Sequence, residues 1–164
     1  MKTLYIVRHA KSSWDDFSVS DHERPLLPKG RSRTILVADR LKETGQVPEL
    51  ILSSTAKRAA QTAEIIAQVL GYPKDKILFN KNLYHASADD VMDELFGLDN
   101  EINSVMVVAH NPGLTDLANY FLSNTIGNLP TSGVVKVVFD TDRWETVPES
   151  GHKVELLLMP KNLE

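Results

Sequence analysis

The sequence predicts a three-layer α/β/α sandwich around a mostly parallel central sheet, and three observations predict it. Short, nearly unbroken apolar runs at residues 3–7, 49–53 and 104–109 read as strands buried on both faces. Each run is followed by a segment with helical periodicity, so strands and helices alternate. Two β-rich runs, residues 134–139 and 154–159, come last, with a weaker strand near Trp144 to Val147 between them.

The helices follow from their own signals. Residues 30–44 place Ile35, Leu36 and Leu41 on one side, and Gly45 is a stop. Ser54 or Thr55 is positioned to cap a long helix running to Leu70, with Gly71 after it and Pro73 just beyond. Ser87 with Asp90 three residues later resembles a capping box and opens a helix through Leu98. Asn111-Pro112-Gly113 breaks the third strand into another helix, where Leu114, Leu117, Ala118, Phe121 and Leu122 follow the i, i+3, i+4, i+7, i+8 rule. No internal repeat or linker is evident, so residues 1–164 read as one domain.

The 164 residues carry a net charge of −4 and no cysteine. The charge argues against nucleic acid, which needs a basic face. The missing cysteines exclude disulfides, thiolate metal sites and a cysteine nucleophile. Arg8 and Lys11 interrupt the first apolar run too early for a signal peptide, and no stretch approaches the roughly 18 apolar residues of a membrane span. A cytoplasmic protein without membrane or nucleic-acid partners is the expectation.

The chemistry gathers where the strands end. The first runs into Arg8-His9-Ala10, the second into the segment from Ser53 to Arg58, and the third into His110-Asn111-Pro112. Ligand sites in open α/β sheets lie beyond the carboxyl ends of the strands. Two arginines and two histidines, distant in sequence, are thus delivered to one edge. Arginine forks match phosphoryl oxygens and keep their charge. Nearby cations disfavour protonation of His9, leaving a lone pair that can attack phosphorus. His110 and the arginines would stabilise charge on the equatorial oxygens. This arrangement calls for no metal and no cofactor.

Arg8-His9-Ala10 resembles the Arg-His-Gly signature of the histidine phosphatase superfamily, the phosphoglycerate-mutase-like fold. Ser12, Trp14 and Asp15 fall where many members have Ser, Trp and Asn. Ser53-Ser54, Arg58-Ala59 and Gln61-Thr62-Ala63 resemble the second motif, and Val108-Ala109-His110 resembles the strand bearing the second histidine. The resemblance implies that His9 is the phosphorylated residue, with Arg8, Arg58 and His110 forming the phosphate pocket. Residues 8–14 (RHAKSSW), 21–25 (DHERP) and 129–133 (LPTSG) look most like the small bacterial phosphohistidine phosphatases.

Three departures bear on substrate. Ala10 replaces the usual Gly, so a glycine-only conformation is not required there. Asp15 stands where an amide often touches phosphate, so it either points away or serves as an acid. His85, in Leu83-Tyr84-His85, stands where many members carry a general-acid Glu. A missing carboxylate matters most for alcohol monoesters, whose leaving group needs a proton, and least for phosphohistidine. Asp15, Asp16, Asp21, Glu23 and His85 are the substitute acids available. Arg58 and His110 are 52 positions apart (110 minus 58), shorter than in mutase-like relatives. That leaves room for one helix and little lid, which suits a phosphorylated side chain on another protein.

Other features read as ordinary structure. Asp140-Thr141-Asp142 imitates an aspartate-nucleophile motif but suits a hairpin turn. His22 and His152 have no metal-ligand spacing. Asp89, Asp90, Asp93 and Glu94 suit a solvated helix face. Trp14 suits either a lid or loop packing. The expected function is a metal-free phosphatase acting on phosphohistidine or other phosphorylated residues of proteins. The alternatives are a small-molecule phosphomonoesterase and a catalytically weak phosphate-binding module.

Overall fold

The six strands of the computed structural model, which describes residues 1–45 and 47–164, form one sheet in the order β3-β2-β4-β1-β5-β6. They are β1 (Lys2–Arg8), β2 (Leu50–Ser54), β3 (Leu78–Asn80), β4 (Ser104–Ala109), β5 (Val134–Phe139) and β6 (His152–Leu158). The pairs β1–β4, β2–β4 and β2–β3 are parallel, and β5 is antiparallel to both β1 and β6. The sheet is therefore mostly parallel, with β5 alone reversed among the described strands.

Four helices cover it: α1 (Pro28–Glu43), α2 (Lys57–Leu70), α3 (Ala88–Phe96) and α4 (Gly113–Phe121). Strand side chains alternate in direction, and the core divides accordingly. Leu4 and Ile6 pack with Val105 and Val107 against α3 and α4. Tyr5 and Val7 pack with Met106 and Val108 against α1 and α2. The order of connections sends α1 and α2 to one face and α3 and α4 to the other, which makes the predicted three layers. Among the described residues no helix is long and apolar enough to cross a membrane.

The first helix differs from its prediction. It begins at Pro28, where a fixed φ suits a first turn. Its buried line is Gly30, Thr34, Val37, Ala38 and Leu41. Ile35 and Leu36 are 44% and 39% exposed. Small residues carry this face because the backbone comes close to its neighbours. A Cβ at Gly30 would collide with the main chain of Lys11, and Thr34 Oγ1 lies 3.0 Å from Ser132 Oγ. Of the three large apolar residues expected on the buried side, Leu41 is there and Ile35 and Leu36 are not.

Other boundaries also moved. The cap of α2 is Ala56, with no side-chain capping bond, because Ser54 and Thr55 spend their hydroxyls elsewhere. Gly71 ends that helix at φ 78°, a left-handed conformation that favours glycine. The capping box of Ser87 and Asp90 is present, and α3 ends at Phe96 instead of Leu98. The weak strand near Trp144 is a 3₁₀ helix, Trp144–Glu149, with Pro148 inside it. The fully buried Trp144 ring anchors it by donating from Nε1 to Ile102 O (2.8 Å). The Asp140 to Asp142 stretch consequently opens a longer connection, residues 140–151, and is no tight hairpin turn. Glu94 is only partly solvated, since it accepts from Asn80 and Asn82. The edge strand β3 escaped notice because it is three residues long and its Leu78 and Phe79 are half exposed.

The face of α1 gives a direct test. Leu41→Ala should cost about 2–5 kcal/mol in urea unfolding, whereas Ile35→Ala should stay within about 0.5 kcal/mol. Equal losses at the two positions would contradict the packing described.

Candidate active site

Three parallel strands finish side by side and hand their next residues to one place. His9 N donates to Ala109 O (3.0 Å) just past the paired ends of β1 and β4. The opposite wall comes from α2, whose Arg58 and Thr62 lie one turn apart. Thr62 Oγ1 accepts from Ala10 N (2.9 Å) and donates to Arg58 O (2.7 Å), tying the loop after β1 to the helix. Ser132, at φ 60°, gives its N–H to both Arg8 O (3.1 Å) and His9 O (3.2 Å). A left-handed backbone is costly for a non-glycine residue, and here it braces the end of β1.

Arg8, His9, Arg58 and His110 all line one cleft of about 280 Å³, together with Ser12, Arg24 and Trp14. His9 and His110 are nine-tenths buried, with ring centroids 5.1 Å apart. His9 Nδ1 lies 2.7 Å from Ala10 O. A carbonyl only accepts, so Nδ1 carries the proton and Nε2 keeps its lone pair. Burial pushes the His9 pKa down to about 4; the bond to Ala10 O is the largest opposing influence, and the charges of Arg58, Arg8 and Arg24 add smaller downward pushes. Burial and the neighbouring His9 and Arg58 push His110 down to about 3. Both rings are therefore neutral at physiological pH.

The cations are held by acceptors placed behind them. Arg8 Nη1 donates to Leu129 O (3.0 Å), which also accepts from Asn111 Nδ2 (2.9 Å). Arg58 donates to Asp21 twice, to the main-chain oxygen (2.7 Å) and to Oδ2 (3.1 Å). Arg24 reaches Asp21 Oδ1 (3.1 Å) and Ser12 Oγ (2.8 Å). The hydroxyl of Tyr84 also donates to Asp21. That bond first, and then the charge of Arg58, hold the Asp21 carboxyl down to about 2. Burial and Arg58 both lower the pKa of Arg8. Among the described residues three buried side-chain nitrogens have no partner: Arg8 Nε, Arg58 Nε and His110 Nδ1. Leaving such groups unpaired costs roughly 1–3 kcal/mol each, so they mark a place where an acceptor belongs.

The other candidates are scattered. Asp15 and Asp16 are exposed in the loop after β1, and neither lines the cleft. Glu23 is exposed and bonds His22 Nδ1 (2.9 Å), whose Nε2 meets Thr55 Oγ1 (2.9 Å). His85 is exposed beside the cleft, stacked on Tyr84 with centroids 4.0 Å apart. Asp21 is brought in, as an ionised anion under the arginines. Trp14 is 68% exposed, and its ring stacks on the Arg24 guanidinium at 3.5 Å, which joins rim and packing in one contact. His152 sits far along the sheet, against Phe121 O (3.1 Å). Sequence reasoning named the stretches that hold Arg24, Ser54 and Tyr84 but gave none of the three a catalytic or phosphate-binding role. The signal available for Arg24 was its place three residues after Asp21, an ion-pair spacing. Ser54 Oγ lies 2.8 Å from His110 Nε2, which no local pattern announces. Among the described residues no group of three or more His, Asp or Glu is disposed to hold a metal ion.

Fold and site together define an α/β protein with a cation-walled cleft around uncharged histidines. The profile of the histidine phosphatase superfamily (branch 1) matches residues 4–78. An uncharacterized chloroplastic protein of Arabidopsis thaliana is 32% identical over 97% of this chain and 78% of its own length. The protein histidine phosphatase SixA, solved with tungstate, superposes with a TM-score of 0.83 at 28% identity, covering 99% of both chains. A mycobacterial glucosyl-3-phosphoglycerate phosphatase shares the fold, with a TM-score of 0.67 at 16% identity over 95% of this chain and 98% of its own. The chain belongs to the histidine phosphatase superfamily.

The neutral rings can be checked by ¹⁵N NMR of the imidazoles. At pH 5.5 His9 should be almost wholly uncharged with its proton on Nδ1, and the midpoint of its protonation should lie near pH 4. Titration at the ordinary histidine value of about 6.5 would contradict the site as described.

Proposed function

We propose that the protein is a phosphatase that passes the phosphoryl group through His9 and takes it from phosphohistidine on other proteins. The observation that carries the reading is a neutral, correctly oriented imidazole surrounded by buried cations with unpaired N–H groups. His9 Nε2 attacks phosphorus in line, the bond to the leaving group breaks, and its electron pair departs with that group. The ring becomes positive as the P–N bond forms, and Ala10 O, already accepting from Nδ1–H, stabilises that charge. Arg8, Arg58 and His110 meet the equatorial oxygens. Water then attacks the phosphohistidine, releasing inorganic phosphate and regenerating His9.

In this reading Asp21 is a positioning residue. It is held as an anion, which suits orienting Arg58 and Arg24 and does not suit donating a proton. Asp15 and Asp16 take no part, and no side chain is required as a general acid at position 85. Metal independence follows from charge supplied by arginine. The likeness to SixA supports a protein substrate, as does the phosphoryl cleft, open enough to leave Trp14 largely exposed.

The test is hydrolysis of a phosphohistidine protein and a panel of phosphate monoesters with EDTA present. Wild type should clear the protein fastest and, quenched in alkali, should carry label on His9. His9→Ala should lose at least about 10³-fold in turnover and all labelling. Preference for one small monoester would move the substrate, and loss of activity with EDTA would overturn metal independence. Phosphate binding without any turnover would leave a binding module.

A further inference from the structure

A second cleft, about 390 Å³, opens beside the first and shares Arg58, His110 and Asn111 with it. Two of those shared side chains, Arg58 and His110, are more than nine-tenths buried and carry a nitrogen without a partner. A phosphoryl group held by them would have this second space beside it. The wall there is flat: Tyr84 and His85 stack on each other at 4.0 Å with planes 33° apart, and Tyr84 also meets the His110 ring edge-on. Across from them is the first turn of α4. It lies close to the strand-to-helix loop because Gly113 has no Cβ to strike Ala86 O. That turn contributes the exposed Asp116, the one acidic side chain lining the cleft among the described residues. Asp116 forms no side-chain hydrogen bond or ion pair within the described residues.

We propose that this cleft is a leaving-group pocket for an imidazole ring, and that Asp116 recognises the ring by accepting a hydrogen bond from the N–H remote from phosphorus. The inference rests on His9 being the nucleophile. When the bond from phosphorus to His9 Nε2 forms, the bond from phosphorus to the substrate ring nitrogen breaks and its electron pair returns to that ring. A ring with a proton on its remote nitrogen leaves as neutral imidazole. Without that proton it would have to leave as imidazolate, a far poorer leaving group. A carboxylate facing the remote N–H favours the protonated ring in the way an anion favours any cation. An alcohol monoester has a different requirement, a proton on the bridging oxygen, which an accepting carboxylate does not supply. The pocket therefore selects phosphoramidates of flat, protonated rings, and it explains how a site with His85 in place of a carboxylic acid expels its leaving group. The rings of Tyr84 and His85 offer the stacking face that such a ring takes.

The experiment compares phosphoimidazole with p-nitrophenyl phosphate on wild type, Asp116→Asn, Asp116→Ala and His9→Ala. The quantity read is the ratio of kcat/KM values for the two substrates. Both Asp116 variants should lower that ratio about tenfold or more, the loss expected when a hydrogen bond to a charged partner is removed. An unchanged ratio, with turnover of both substrates abolished by His9→Ala, would overturn the pocket and leave the nucleophile standing. Turnover that survives in His9→Ala would overturn the nucleophile and this inference with it.

Discussion

Like charges drawn together under cover need a counter-charge, and here it is Asp21. Arg24 and Arg58 are both more than nine-tenths buried, and Arg8 adds a third guanidinium to the same cleft. Packed without compensation, such cations repel and lose their hydration. Asp21 meets Arg58 on one carboxylate oxygen and its own main-chain oxygen, and Arg24 on the other carboxylate oxygen. The clamp pairs Arg24 and Arg58 with a carboxylate and leaves Arg58 Nε, like Arg8 Nε, without a partner among the described residues. The excess of positive charge then does two things. It adds to burial in keeping His9 neutral, and it waits for an anion.

The scaffold is arranged to make that charge cluster rigid. The end of β1 is pinned by bonds from three other segments: Ala10 by Thr62 of α2, His9 by Ala109 of β4, and the Arg8 and His9 carbonyls by Ser132. Leu129 O serves Arg8 and Asn111 together, so the loop before β5 supports both ends of the cleft. Little of this depends on propensity. It depends on hydroxyls and carbonyls that sit in register only when the sheet is complete.

The proposed role of His9 as nucleophile carries a tension. Low basicity keeps the lone pair free but weakens attack, and the phosphorylated ring is a cation in a cationic place. The Ala10 carbonyl eases the second difficulty, because it accepts the ring N–H before and after phosphorus arrives. The incoming dianion eases it further by neutralising the arginines. The site is thus matched to its charge-loaded state, in line with preorganised electrostatic stabilisation.

The apolar runs and the residues after them determined the layered fold, the parallel core strands and the four residues Arg8, His9, Arg58 and His110 at one edge. They could do so because a doubly buried strand leaves a continuous local trace, and topology carries strand ends to the same side. Ser104 to Ala109 and Val134 to Phe139 were legible to the residue for that reason. The buried face of α1 was not, since Gly30 and Thr34 are chosen for close approach and look polar or empty in a hydrophobic count. Nor was the Trp144 segment, where one anchored ring outweighs a β-rich composition. Tertiary structure alone decided that Asp21 would be a clamp for arginines and that Asp15 and Asp16 would stand outside. It also decided that Tyr84, Ser54 and Arg24 would join the site. Their roles lie in bonds between residues tens of positions apart, and such bonds leave no period in the chain.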